Sequence, residues 1–250
     1  MKTLITSFLL FFISAIYSQK SGKIGYKMYL NFTDNIQYES SLIFDNKNSL
    51  FIFKTKNEGY HEIKESSLKS ISIDTTTNIL LLDKNKNILL ESHPKKNFFT
   101  YENTPKIKWE LLQKSKDIEN ITCLLAKTSF RGRVFYAWYA PNIPVSYGPW
   151  KLNGLPGLII EAYDEKKEVI FQFSKIQIPY KYDFNRMINK ANESSNISLL
   201  EYISKQKKIN IDDLERTIKT RFPRGGSVKN VKIIRTGIEL NYNDVFNNEN

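Results

Sequence analysis

From Lys23 to Phe173 the chain repeats one design: short apolar runs of strand length, separated by turn residues, with no helix-period pattern between them. Ile24, Tyr26, Met28, Leu30 and Phe32 alternate with Gly25, Lys27, Tyr29 and Asn31, which is the period of a strand with one face buried. Ser41 to Phe44 and Leu50 to Phe53 flank the loop Asp45 to Ser49 and predict a hairpin, and Ile79 to Leu82 with Ile88 to Leu90 repeat it around Asp83 to Asn87. Lys106 to Leu112 continues the series. Cys123 to Lys127 and Arg133 to Tyr139 predict paired strands around Arg131-Gly132-Arg133, and Leu158 to Tyr163 returns through Asp164 to Lys167 into Val169 to Phe173. Without crossover helices a parallel sheet has no connections, so the sheet is expected to be an antiparallel meander.

The pattern changes after Ile178. Ser198 and Glu201 form a capping box ahead of Leu199, Leu200 and Ile203, and Ile211, Leu214, Ile218 and Phe222 make a second apolar stripe that Pro223 stops. Val231 to Ile234 and Ile238 to Leu240 predict a last strand or hairpin, and residues 244–250 a flexible tail. The fold class that follows is α+β, mostly antiparallel β: a curved meander sheet, either open or rolled into a half-barrel, covered by two C-terminal helices near 198–222. Residues 19–243 then form one β-rich domain, since no linker divides them.

Met1-Lys2, the apolar run Leu4 to Tyr17 and the small residue Ser18 predict a secretory signal peptide over residues 1–18, cleaved after Ser18. The run is shorter than the roughly 20 residues of a membrane span, and later apolar runs such as Ile79 to Leu82 are broken by charge. The chain is expected to be exported, periplasmic or associated with the outer membrane, and not transmembrane after cleavage. Its formal charge is +11, and residues 175–235 hold 14 Lys and Arg against 6 Asp and Glu. In an exported protein this basic third faces lipid phosphate or an acidic partner rather than nucleic acid, or is simply a solvated face.

The stretch AWYAPNIPVSYGPWKLNGLPGLIIEAYD, residues 137–164, holds four prolines and three glycines, yet Trp138, Tyr139, Tyr147, Trp150, Leu152 and Leu155 crowd around its turns. Leu155-Pro156-Gly157-Leu158 fits a type II turn, with Gly157 at the positive-φ position. The hexapeptide Gly154-Leu155-Pro156-Gly157-Leu158-Ile159, led by Tyr147-Gly148-Pro149-Trp150 and preceded by Arg131-Gly132-Arg133, resembles the signature of the GLPGLI family of exported bacterial envelope proteins. The resemblance covers about Cys123 to Asp164. It implies a cell-envelope component that works beside an outer-membrane TonB-dependent transporter, and it carries over no catalytic residue. Two readings of the motif stand side by side. Leu155, Leu158 and Ile159 could be core residues of a fold signature, or Trp138, Tyr139, Tyr147, Trp150 and Leu155 could form an apolar groove or docking knob. Arg131 and Arg133 likewise suit either an anion clamp or an exposed hairpin turn.

Residue chemistry argues against an enzyme. Cys123 lies in an apolar strand, where a free thiol behaves as a small hydrophobe, and its only bases would be His61 and His93. Ser146 has no nucleophile-elbow context, and Glu161 and Asp164 flank a hairpin as turn and solvent-face residues. One Cys and two His cannot build the usual tetrahedral zinc site, and no P-loop or dinucleotide glycine run occurs, so neither metal nor cofactor is expected. The reading is an exported binding or docking protein for a peptide, lipid-like ligand or envelope partner. Its rivals are an envelope hydrolase and a structural subunit of an outer-membrane assembly.

Overall fold

A computed structural model of the chain describes residues 21–32, 35–56, 75–206, 237–242 and 244–245. The strands are β1 (Gly22–Asn31), β2 (Asn35–Phe44), β3 (Asn48–Lys56), β4 (Thr75–Asp83), β5 (Ile88–His93), β6 (Phe98–Asn103), β7 (Glu110–Ile118), β8 (Ile121–Phe130), β9 (Arg133–Ala140), β10 (Leu158–Asp164), β11 (Val169–Gln177) and β12 (Ser195–Ser198). They form one sheet in the order β12-β6-β5-β4-β3-β2-β1-β11-β10-β9-β8-β7. Two meanders run in opposite directions from a central seam, where β1 pairs antiparallel with β11. Only β12 runs parallel to its neighbour, β6. The fold is the mostly antiparallel α+β class read from the sequence, and the sheet is open and curled.

The curl follows from one contact. β6 and the β8–β9 turn are separated by eight strand spacings, which a flat sheet would hold roughly 38 Å apart at 4.7–4.9 Å per strand. Yet Arg131 of that turn forms an ion pair with Glu102 of β6. Breaks in pairing register between Gly25 and Tyr26, Leu112 and Ser115, and Ile159 and Glu161 supply bends of the kind that let a sheet roll up.

The rolled sheet packs its main core inside. Tyr26 is fully buried, stands edge-on to Phe171, and donates its hydroxyl to the Ile159 carbonyl at 2.7 Å. A second apolar layer lies on the other face of β2–β6, where Ile43, Leu50, Ile79, Leu81 and Phe99 are covered by Phe184, Met187, Ile188 and Ala191. The spacing of these four is a helical stripe, and they belong to the helix Asn185–Glu193 and its entry.

This helix was not expected from the sequence. Residues 199–206 are helical as read, and the Glu201 amide donates to the Ser198 hydroxyl at 3.1 Å. The signal peptide, the stripe Ile211 to Phe222 and the strand Val231 to Ile234 lie outside the described residues. Ile238 to Leu240 form no strand. Asp244 and Val245, expected in a flexible tail, are tied down: Asp244 pairs with Arg131 at 3.0 Å and Val245 is buried.

Candidate functional site

The β8–β9 hairpin closes in two residues, with Arg131 at φ 50° and Gly132 at φ 81°. Two positive φ values are what a type I′ turn requires, and its twist matches that of the flanking strands. A Cβ on Gly132 would stand 2.9 Å from the Leu240 side chain, because residues 237–242 cross directly over the turn. Neither sequence reading of the two arginines survives this. The turn is not exposed, since Arg131 and Arg133 keep only 3% and 4% of their surface, and their guanidiniums are already engaged by protein groups.

Arg133 lies 2.8 Å from Asp164 and 2.6 Å from Glu168, and its guanidinium also donates to the carbonyls of Gly237 and Ile238. Asp164 is therefore no solvent-face residue. It is 2% exposed, and its other oxygen accepts the Val169 amide at 2.8 Å. Arg131 pairs with Glu102, with Glu239 at 3.5 Å and with Asp244 at 3.0 Å.

Lys151 completes the cluster. Its ammonium lies 2.9 Å from Glu91, Glu102 and Glu239 alike, and the residue is 2% exposed. Four chain segments thus meet in one buried hub: β5 and β6, the β8–β9 turn, the turn after Trp150, and the strap made by residues 237–242 and 244–245. Burial acts against the charge on Lys151, but the three carboxylates outweigh it and hold the ammonium well above its ordinary range. Burial also opposes ionisation of Glu239, yet Lys151 and Arg131 draw its carboxyl below the usual value. Glu91 goes the other way, because its burial exceeds what its share of Lys151 returns. Two cations here face four carboxylates, so Glu91 is the group that most readily holds a proton.

The aromatic residues build the floor beneath this hub. Tyr139, Tyr147, Trp150 and Leu155 are 3%, 1%, 7% and 1% exposed and belong to the main core. Trp150 stands at φ 55°, a rare conformation for a bulky residue, with its ring against Phe130 and Phe135 at centroid separations of 5.7 and 6.0 Å. Trp138 alone of the five is half-buried, on the opposite face of β9, with the Lys116 ammonium 4.7 Å from its ring. The groove or knob expected of these residues is therefore filled by the protein itself.

The motif turn is also built differently from the type II expectation. Positive φ falls on Gly154, at 93°, and not on Gly157. Gly157 is needed for space instead: a Cβ there would stand 2.2 Å from the Ala140 carbonyl oxygen. Leu158 and Ile159 then run into β10, fully buried.

The open space lies beside the hub. A cleft of about 680 Å³ is bounded by Asn103, Thr104, Lys106 and Lys108 on one side and by Arg131, Gly132, Asn241 and Asp244 on the other. Lys106 and Lys108 are exposed and take part in no ion pair among the described residues. The sequence reading found Arg131 and Arg133 but missed Glu91, Glu102, Lys151, Glu239 and Asp244. Two signals were available: Lys151 is a lone cation in an apolar turn, and Glu91 follows Leu89 in phase, on the core side of its strand.

The thiol and the imidazole sit in separate surroundings. Cys123 is fully buried, donates to the Ile121 carbonyl at 3.3 Å, and burial pushes its pKa up to about 11. Its charged neighbours are Lys116, Glu161 and Asp117. His93 lies 3.0 Å from the Thr100 hydroxyl and stacks on Phe98, and burial together with Lys96 and Lys151 lowers its pKa to about 4. His61 lies outside the described residues.

Residues 131–161 match the model of a family described as a protein of unknown function (Porph_ging), a span that runs from the arginine turn through the GLPGLI hexapeptide. No curated protein matches the chain. Two crystal forms of PNGF-II are similar in fold, with TM-scores of 0.53 and 0.52 at 15% and 14% identity, over 74% of this chain. The chain spans only 32% of the length of PNGF-II. A DUF1329 family protein from Desulfovibrio piger matches at TM-score 0.21 and 10% identity, over 68% of this chain and 90% of that one. The likeness to PNGF-II shows a β-rich fold shared with part of a larger protein. Among the described residues no helix is long and apolar enough to cross a membrane.

Proposed function

We propose that the protein is an exported, non-catalytic binding module of the bacterial cell envelope, an accessory to an outer-membrane assembly, which docks a negatively charged, extended segment of a partner protein. The observation that carries this reading is the cleft of about 680 Å³ beside the hub, within the size range of ligand pockets and flanked by two lysines that take part in no ion pair among the described residues. Its lining also includes Asn87, Asn103, Thr104, Ser129 and Asn241, whose amides and hydroxyls can bond a peptide backbone, beside the apolar Ile107 and Phe130. The net charge of +11 favours encounter with an acidic partner over a basic one. The buried hub suits binding better than chemistry, because its charges are spent on one another and hold the cleft walls in register.

The test is a titration followed by tryptophan fluorescence, with Trp109, which directly follows Lys108 of the cleft wall, as the reporter. The probes are an acidic hexapeptide, a basic hexapeptide, and vesicles of anionic or zwitterionic lipid. Binding of the acidic peptide that weakens with salt and disappears in Lys106→Glu, Lys108→Glu supports the proposal. Preference for the basic peptide, for anionic vesicles alone, or equal binding by the variant overturns it.

A further inference from the structure

The helix Asn185–Glu193 does not fill the outer face of the sheet that it covers. Beside it a hollow of about 280 Å³ is lined by Leu81, Ile88 and Leu90 of β4 and β5, by Ile188 of the helix and by Tyr101 of β6. Tyr101 is 43% exposed, and with Leu111 it is one of two large apolar side chains left so open among the described residues. A cavity of roughly 150 Å³ lined by aliphatic side chains and a ring takes up benzene, so this hollow has room for one aromatic side chain together with its attachment to a backbone. The charges in its lining oppose one another. Asp83 accepts the amides of Asn85 and Lys86 at 3.0 and 3.2 Å, and Lys86 supplies an ammonium of opposite sign. The hollow thus selects by apolar shape and not by charge.

The hollow adjoins the cleft. Asn103 of the cleft wall is the cross-strand partner of Ile88, and Tyr101 is the partner of Leu90, so these four side chains share one face of β5 and β6. Cross-strand partners have Cβ atoms about 5 Å apart and an extended chain advances about 3.3 Å per residue, so a peptide that leaves the cleft over Asn103 reaches the hollow within about three residues.

We infer that the hollow is an anchor pocket for one aromatic side chain of the partner, carried on the same extended segment as the acids that meet Lys106 and Lys108. The inference rests on the proposed docking role and names the residue type that makes it selective. The two sites divide the work. Exposed lysines raise the rate of encounter and add little affinity, whereas a ring seated in an apolar pocket beside Tyr101 is desolvated and packed, which is where interfaces draw most of their binding energy. The Tyr101 ring, open on the hollow, offers the incoming ring an offset or edge-on partner.

The experiment titrates the full chain with acidic hexapeptides in which a single Phe is walked through every position, against the same peptides with Ala in its place. One position, or two neighbouring ones, should bind at least about tenfold more tightly than the Ala peptide. Two variants then ask where the gain arises. Tyr101→Ala removes one side of the hollow and Asn192→Phe fills it from the helix, and both positions are exposed, so the fold should tolerate either change. In each variant the preference for Phe over Ala should shrink to about twofold or less. A scan in which no position exceeds Ala, or a preference that both variants keep, overturns the inference; if those peptides still require Lys106 and Lys108, the proposed function stands without it. N-acetylphenylalanine amide that binds as tightly as the best peptide would make the hollow a small-molecule site and overturns the inference as well. Failure of every peptide to bind ends the proposed function and this inference with it.

Discussion

At the scale of single residues, the most constrained positions are those where the chain has no room or no water. Gly157 has a backbone oxygen 2.2 Å from where a Cβ would be, and backbone cannot swing aside as a side chain can. Gly157→Ala is expected to cost about 3 kcal/mol or more in a chemical denaturation series, while Pro156→Ala, at an exposed neighbour, should cost under about 1 kcal/mol. Lys151 is constrained by charge. Lys151→Met would leave Glu91, Glu102 and Glu239 without their shared cation and should cost about 3–5 kcal/mol. Combining it with Glu239→Gln should cost clearly less than the two single changes together, a coupling that a double-mutant cycle reads directly. Cys123 makes a third case: with the thiol buried and its pKa at about 11, iodoacetamide at pH 8 should label it only when denaturant opens the sheet. What could be read of these residues from sequence was their type and spacing. The positive φ was assigned to Gly157 because Pro-Gly favours a type II turn, whereas the steric demand of Ala140 arises only once β9 and β10 are paired.

At the scale of elements, most strands and the helical stretch 199–206 were legible and the helix Asn185–Glu193 was not, for a physical reason. Alternation fixes which side chains of a strand face the core, and the hairpins β2–β3, β4–β5, β8–β9 and β10–β11 each carry their turn residues between such runs. The helix Asn185–Glu193 is short, begins without a side-chain cap and is rich in polar residues, so only the stripe Phe184, Met187, Ile188 and Ala191 marks it, and that stripe has meaning once an apolar outer face of the sheet exists to receive it. The later helical stretch 199–206 is fastened to the sheet by Tyr202, whose ring lies 4.6 Å from that of His93. His93 gives this junction a pH dependence of definite sign. Its folded pKa of about 4 lies below the free value of 6.5, so its neutral form is favoured by folding. The contribution is complete above pH 6.5 and is lost as pH falls toward 4. The loss should be about 1–2 kcal/mol, since solvent screens the half-buried ring, and His93→Phe should flatten the melting temperature across that interval.

At the scale of the whole molecule, the curl of the sheet turns distant positions into one site. Glu91 and Glu102 lie at one end of the strand order and Arg131 near the other, and the chain from 141 to 157 and the strap bridge the gap. Sequence alone could give the order of strands in each meander. It could not give the closure, because nothing local in Glu102 or Arg131 says that they meet. For the same reason the aromatic residues around GLPGLI looked like a surface for recognition: loops that carry Trp and Tyr are exposed on a flat sheet and become floor inside a rolled one. The proposed docking role belongs to the cleft, one wall of which is the strap, and the GLPGLI motif supplies the core beneath it. Amide hydrogen exchange read by mass spectrometry tests this most directly, comparing the native chain with Lys151→Met. The account predicts protection at Leu240 and Asn241 in the native chain, lost in the variant while β8 and β9 stay protected. Strap amides that exchange at the rate of an unstructured peptide in the native chain, or protection that the variant leaves unchanged, would contradict it.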